Sequence, residues 1–237
     1  MRQEAPDELP DSSRVDATSP SELMIPMNPS SCHYGAAYLY KERWFSFVYQ
    51  VMALSGIEPA RVAEIGVGPG VVGDMLRATY PGCEYVGIDI DRSLFPSVCA
   101  SVEALPFANA SFDATFCCQV LEHLPFDRFS VAISELKRIT SQRLVISLPD
   151  VSPFFFLRFS HGRRFIPWLW NGLSLPTLLP RRHCFEEHGQ HYWEIGKLGF
   201  PLRRIVRELN EIGFSNIRHF RMTERPYWHF FILEIDR

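Results

Sequence analysis

A carboxylate set just before a glycine-rich turn is the strongest chemical signal in this chain. Residues 62 to 70 read Val62-Ala63-Glu64-Ile65-Gly66-Val67-Gly68-Pro69-Gly70. A short apolar strand carries Glu64 near its end, then opens into a loop with glycine at every second position. Glycines remove side chains where a ligand must press on backbone, and a following helix points free N–H groups at that ligand. Such a loop suits a nucleotide-like cofactor. Glu64 would repel a pyrophosphate, whereas a ligand carrying an ammonium and a sulfonium would be held by it. A second group of reactive side chains lies at residues 183 to 194, where His183, His188 and His191 alternate with Glu186, Glu187 and Glu194. Their linear spacing matches no established zinc pattern, so no metal is expected. Acid–base work is the better reading. His191 is the first candidate for a general base near neutral pH, and His123, beside Glu122, is the second.

Gly68, Gly70 and Gly73 also satisfy G-x-G-x-x-G, the dinucleotide fingerprint, which keeps a nicotinamide-dependent oxidoreductase as an alternative. Glu84 to Ile90 is an apolar strand ending in Asp89, placed to accept hydrogen bonds from both hydroxyls of a ribose. That acid supports a nucleoside without choosing between cofactors. Three further segments follow: Leu105-Pro106-Phe107, Ser111-Phe112-Asp113 and Gln119-Val120-Leu121-Glu122-His123.

With these segments in this order, residues 60 to 150 resemble the class I S-adenosylmethionine-dependent methyltransferases, nearest the quinone-biosynthesis C-methyltransferase branch. The resemblance implies S-adenosylmethionine as cofactor and methyl transfer as activity, and leaves the acceptor open. It places Glu64 by the methionyl amino group, and Gly66, Gly68 and Gly70 under the cofactor. Asp89 falls on the ribose hydroxyls and Ile90 on the adenine. Family members commonly carry an Asp-Ala pair that reads the adenine edge; here Ser101-Val102 stands there, a hydroxyl in place of a carboxylate. Gln119 falls where the backbone faces the methionyl part. Methyl transfer is an in-line displacement at an already activated sulfonium, so the enzyme must mainly position the acceptor and remove a hydroxyl proton where there is one.

The elements that must position these residues follow from the patterning. Strands and helices alternate from residue 60 onward, which argues for a parallel sheet. The resemblance implies a Rossmann-like α/β fold: a mostly parallel seven-stranded sheet, an antiparallel last strand, helices on both faces and a helical, aromatic lid after the fifth strand. Tyr38 to Leu54 has helical periodicity and precedes the first strand, where it can close over the cofactor. Only Asp91 to Val98 separate the second strand from the third, so one helical turn at most is expected there. Residues 1–28 read as a disordered tail rich in Pro, Ser, Asp and Glu, and 29–237 as the methyltransferase domain.

The net charge of −3 gives no general attraction to nucleic acid. The six cysteines form no C-x-x-C pair and follow no signal peptide, which points to a reduced, cytoplasmic setting. The 19 Phe and 5 Trp concentrate attention on residues 150–200, which break the alternating pattern. This insertion falls at the carboxyl ends of the strands, where ligands of open sheets bind, so it is expected to build the acceptor site for a small-molecule, glycan or lipid-linked substrate. Two alternatives stand beside that: a subdomain covering its own apolar face, and peripheral membrane contact through 153–182, where aromatics interleave with Arg158, Arg163, Arg164, Arg181 and Arg182. A non-catalytic cofactor-binding or membrane-docked partner protein is the remaining functional class, and only turnover excludes it.

Overall fold

The computed structural model describes residues 34–35, 38–155, 160–161, 164–165, 173–174, 182–183 and 191–235. The tail 1–28 lies outside them, as do the insertion's Trp168 and Trp170. Helix α1 (Lys41–Met52) leads into strand β1 (Arg61–Ile65), helix α2 (Val71–Thr79) and strand β2 (Glu84–Asp89). One 3-10 turn (Arg92–Leu94) reaches the two-residue strand β3 (Val98–Cys99), the short crossover that Pro96 and the eight-residue spacing imply. Strand β4 (Phe112–Cys118), helix α3 (Phe129–Ile139) and strand β5 (Thr140–Pro149) follow. After the insertion come helix α4 (Leu202–Glu211) and strands β10 (Ile217–Arg221) and β11 (Trp228–Glu234).

The seven-stranded sheet runs in the order β10-β11-β5-β4-β1-β2-β3. Its strands are parallel except β11, which pairs antiparallel with both β5 and β10. Within the insertion, β6 (Phe154–Phe155) pairs with β9 (Leu173–Ser174), and β7 (Ser160–His161) with β8 (Arg164–Phe165). These described parts are strand pairs, where a helical lid was expected. Adjacent aromatics at 154 and 155, next to Pro153, favour extended backbone over helix.

Alternation along the strands splits the core in two. Ala63, Ile65, Ile88, Cys117, Ile146 and Phe231 face α3 and α4. Val62, Ala114, Phe116, Val145 and Phe230 face α1 and α2. Cys117 and Cys118 accordingly point to opposite faces, as neighbours in a strand must. Helix α3 buries Phe129, Ile133 and Leu136 completely, each contributing about 1.5–3 kcal/mol. Arg143 of β5 is buried and donates to Ala53 O at 2.7 Å and Ser55 O at 2.9 Å, while pairing with Glu234 at 2.8 Å. That side chain fixes the end of α1 against the sheet, and so holds α1 over the ends of β1 and β4. Among the described residues no helix is long and apolar enough to cross a membrane.

Candidate active site

The glycine loop leaves β1 between its neighbours β2 and β4. Gly66 has φ +83°, a conformation L side chains rarely adopt, and its amide is fixed to Ile88 O at 2.8 Å. A Cβ there would lie 2.4 Å from Val120 Cγ2. Gly70, φ +77°, is the N-cap of α2 and supplies no side-chain cap, so the first-turn amides remain for a ligand. Gly73 has a different task. A Cβ on it would meet the Tyr85 ring at 2.7 Å, so its glycine lets α2 lie flat on Tyr85. The third position of the G-x-G-x-x-G pattern is therefore explained by helix–strand packing.

Tyr85 in turn holds Glu64. Its hydroxyl donates to Glu64 Oε2 at 2.5 Å. Burial pushes the Glu64 carboxyl up to about 8, and the Tyr85 hydrogen bond opposes that rise. Glu64, Gly66, Gly68 and Gln119 line one narrow cleft with Tyr38, Arg43 and Gln50 from the α1 side and Trp228 from β11. The Arg43 guanidinium lies 4.3 Å from the Tyr38 ring centre and 4.5 Å from that of Trp228. Gln119 itself has φ +58°, and its amide and side chain are tied to Ser147 at 3.0 and 3.2 Å. Gln119 is thus a non-glycine residue in the left-handed region, held there at the end of β4 by Ser147.

Asp89 ends β2, half-buried, with one oxygen accepting from the Asp91 amide at 3.0 Å. Ile90 beside it is 74% exposed, an apolar surface with nothing laid on it. Ser101 accepts from the Glu103 amide at 3.3 Å, and Val102 is buried in the core. These four residues sit around the ends of β2 and β3, a step along the sheet from Glu64.

The two candidate bases meet. His123 closes a 3-10 turn (Leu121–His123) after β4, and its ring lies 5.0 Å from that of His191, edge to face. The segment carrying His191 is pinned to this turn: the Tyr192 amide donates to Glu122 O at 2.8 Å. Trp193, fully buried, donates to Leu124 O at 3.1 Å and sets its ring edge on Phe126 and Phe129. His191 Nδ1 pairs with Glu194 Oε1 at 3.0 Å, and the same oxygen accepts the Tyr227 hydroxyl at 2.6 Å. Burial alone would depress His191; the Glu194 hydrogen bond and the charges of Glu122 and Glu194 outweigh it and raise the ring above its usual value. Burial pushes Glu122 up to about 7, with His191 opposing and Glu194 reinforcing.

Sequence reasoning named Glu194 among the carboxylates of 183–194 without its pairing to His191, and missed Tyr85, Arg43, Trp228 and Tyr227. One signal for Tyr85 was present: Gly87 stands opposite Glu64 in the sheet, and a Cβ on it would lie 3.0 Å from the Tyr85 hydroxyl oxygen. The others carry no local mark.

This sheet order, with its antiparallel last strand and glycine turn after the first strand, is the fold of the class I S-adenosylmethionine-dependent methyltransferases. Residues 63–144 match the family described as methyltransferase domain. Over 113 residues the chain is 32% identical to malonyl-[acyl-carrier protein] O-methyltransferase of Legionella pneumophila, an alignment covering 42% of this chain and 39% of that protein. The chain thus spans about two fifths of the length of that curated relative. Among solved structures it resembles phosphoethanolamine N-methyltransferase 2 of Haemonchus contortus (TM-score 0.58, 15% identity, 82% of this chain and 53% of that one). It also resembles the 1,6-didemethyltoxoflavin-N1-methyltransferase of Burkholderia thailandensis (TM-score 0.56, 14% identity, 88% and 85%). A methyltransferase of Archaeoglobus fulgidus aligns over 86% of this chain and 98% of its own (TM-score 0.55, 15% identity).

Proposed function

We propose that this protein transfers a methyl group from S-adenosylmethionine to an oxygen or carbon of a small-molecule, glycan or lipid-linked acceptor. The observation that carries the reading is Glu64, a buried carboxyl facing the cleft at the head of the glycine loop. A buried carboxylate needs a cationic partner, and the donor's ammonium is one. The relatives named above, two of them solved with S-adenosylmethionine or S-adenosylhomocysteine, support the same donor.

The donor supplies an activated methyl on a sulfonium. Everything else falls to this chain. Glu64 holds the ammonium end, kept in its rotamer by Tyr85. Gly66, Gly68 and Gly70 let backbone amides close on the ligand, and Asp89 accepts from the ribose hydroxyls. Ile90 offers its exposed side chain to the adenine, and the Ser101 hydroxyl and Val102 backbone border that base. Gln119 presents backbone to the methionyl part. The acceptor lies against His123 and His191. His191 is the general base of the metal-free protein, because Glu194 orients its ring and raises its basicity. Calorimetry tests the donor: adenosylmethionine and adenosylhomocysteine should bind at micromolar concentration and NAD weakly or not at all. Tight NAD binding with no heat from adenosylhomocysteine would overturn the reading.

A further inference from the structure

Glu122 is more than the base's neighbour. It is fully buried, and apart from the field of its own amide nothing among the described residues donates to either carboxylate oxygen. Arg43 acts on it at a distance and makes no hydrogen bond to it. A buried carboxyl without partners is costly, and such groups in proteins are paired or coordinate metals. One ligand atom each from Glu122, His123 and His191 lies within 4.8 Å of the other two. These three come from two separate segments, which is why the linear spacing of residues 183 to 194 does not announce a site.

The surroundings have the form of a metal site's outer shell. His191 Nδ1 is engaged by Glu194, which itself accepts from Tyr227. That bond orients the ring and leaves Nε2 to coordinate, the carboxylate–histidine–metal arrangement. His123 lies at the exposed end of the group, so the set is open on one side. Two imidazoles and one carboxylate suit a borderline divalent cation such as Zn²⁺, Co²⁺, Mn²⁺ or Fe²⁺ rather than Ca²⁺, and three protein ligands leave positions for a substrate.

We infer that Glu122, His123 and His191 bind a divalent transition-metal cation, and that the acceptor is a hydroxyl compound whose oxygen is drawn to it. The second half rests on the methyltransferase reading. The cation lowers the hydroxyl's pKa and its proton leaves to water. The oxygen then forms a bond to the methyl carbon as the carbon–sulfur bond breaks, its electron pair returning to sulfur. The products are a methyl ether, a neutral thioether and one proton, so no oxidant or reductant is needed. His191 is then a ligand, and the cation takes over the base's task.

The test is titration of the chelator-treated, tag-free chain with Co²⁺, read by its visible d–d absorption, with Zn²⁺ calorimetry alongside. Wild type should take up one equivalent. Glu122→Gln and His191→Ala should each weaken binding by about a hundredfold, while His219→Ala, remote from the group, leaves it unchanged. His123→Ala, at an exposed position, gives the same reading should either of those variants fail to fold. No stoichiometric cobalt band in wild type, or a band untouched by loss of these side chains, overturns the site. Nitrocatechol, a hydroxyl chelator, should shift the cobalt band; an unshifted band overturns the acceptor half. Adenosylhomocysteine calorimetry on the same samples separates the two readings. Donor binding without metal sinks only the cation site, and metal without donor binding sinks the methyltransferase.

Discussion

Gly66→Ala probes the glycine loop at its tightest point. Two penalties add. The residue would have to hold φ +83°, which costs a non-glycine residue about 1–3 kcal/mol. Its Cβ would also stand 2.4 Å from Val120 Cγ2, and overpacking of that kind costs about 1–3 kcal/mol. Neither can be relieved by moving the loop, because the Gly66 amide is bonded to Ile88 O and the strand below is paired on both sides. The expected loss is about 2–6 kcal/mol, a large share of the ~5–15 kcal/mol that holds a domain together. Val120→Ala removes Cγ2 and with it the clash, but not the backbone strain. Introduced into Val120→Ala, the same glycine substitution should therefore cost about 1–3 kcal/mol less than in wild type. Urea midpoints of the four proteins, at unchanged slope, measure this, and adenosylhomocysteine affinity should fall in parallel with the loop's distortion. Equal cost in both backgrounds would refute the contact. A cost below about half a kcal/mol in wild type would refute the loop conformation itself.

Three further outcomes are expected. On the proposed reading Asp89 accepts two charge-assisted bonds from the ribose, on the order of 3 kcal/mol, so Asp89→Ala should weaken adenosylhomocysteine binding by about a hundredfold; an unchanged affinity would show that Asp89 does not touch the ligand. Glu64 holds its proton up to about 8, so a bound ammonium should expel that proton at neutral pH, and calorimetry in buffers of different ionisation enthalpy should register the release; with the donor absent, the same raised value makes stability fall as pH rises from 4.5 towards 8. Burial holds His229 below its usual 6.5, with Nδ1 donating to Asp150 at 2.8 Å, so the unfolded chain gains a proton that the folded chain refuses. Stability should drop as pH falls below 6.5, and a His229→Gln protein with the same acid slope would show that another group is responsible.

The glycine loop and the strand ends around it were legible in the sequence because their requirements are local. Glycines at 66, 68 and 70 record backbone angles and close approach within a few residues, and Asp89 ends a strand whose alternation is visible. The helix at 129–139 and the short crossover at 91–98 were equally readable, since periodicity and length act over one element. The layered sheet followed from the alternation of those elements. What only the tertiary structure decided depends on residues that no local rule links. Tyr85 reaches Glu64 because β1 and β2 are in register with Gly87 leaving room between them. Arg43 enters the cleft because Arg143 pins the far end of its helix. His191 meets His123 because Trp193, buried among Phe126 and Phe129, anchors a segment that sequence periodicity could not place. Propensity and capping report on neighbours along the chain, whereas these contacts exist only once packing has closed long loops. The carboxyl of Glu122, without a hydrogen-bond donor among the described residues, belongs to that second kind: its place after β4, the neighbour of β1, is written in the strand pattern, and its isolation arises from what folds over it.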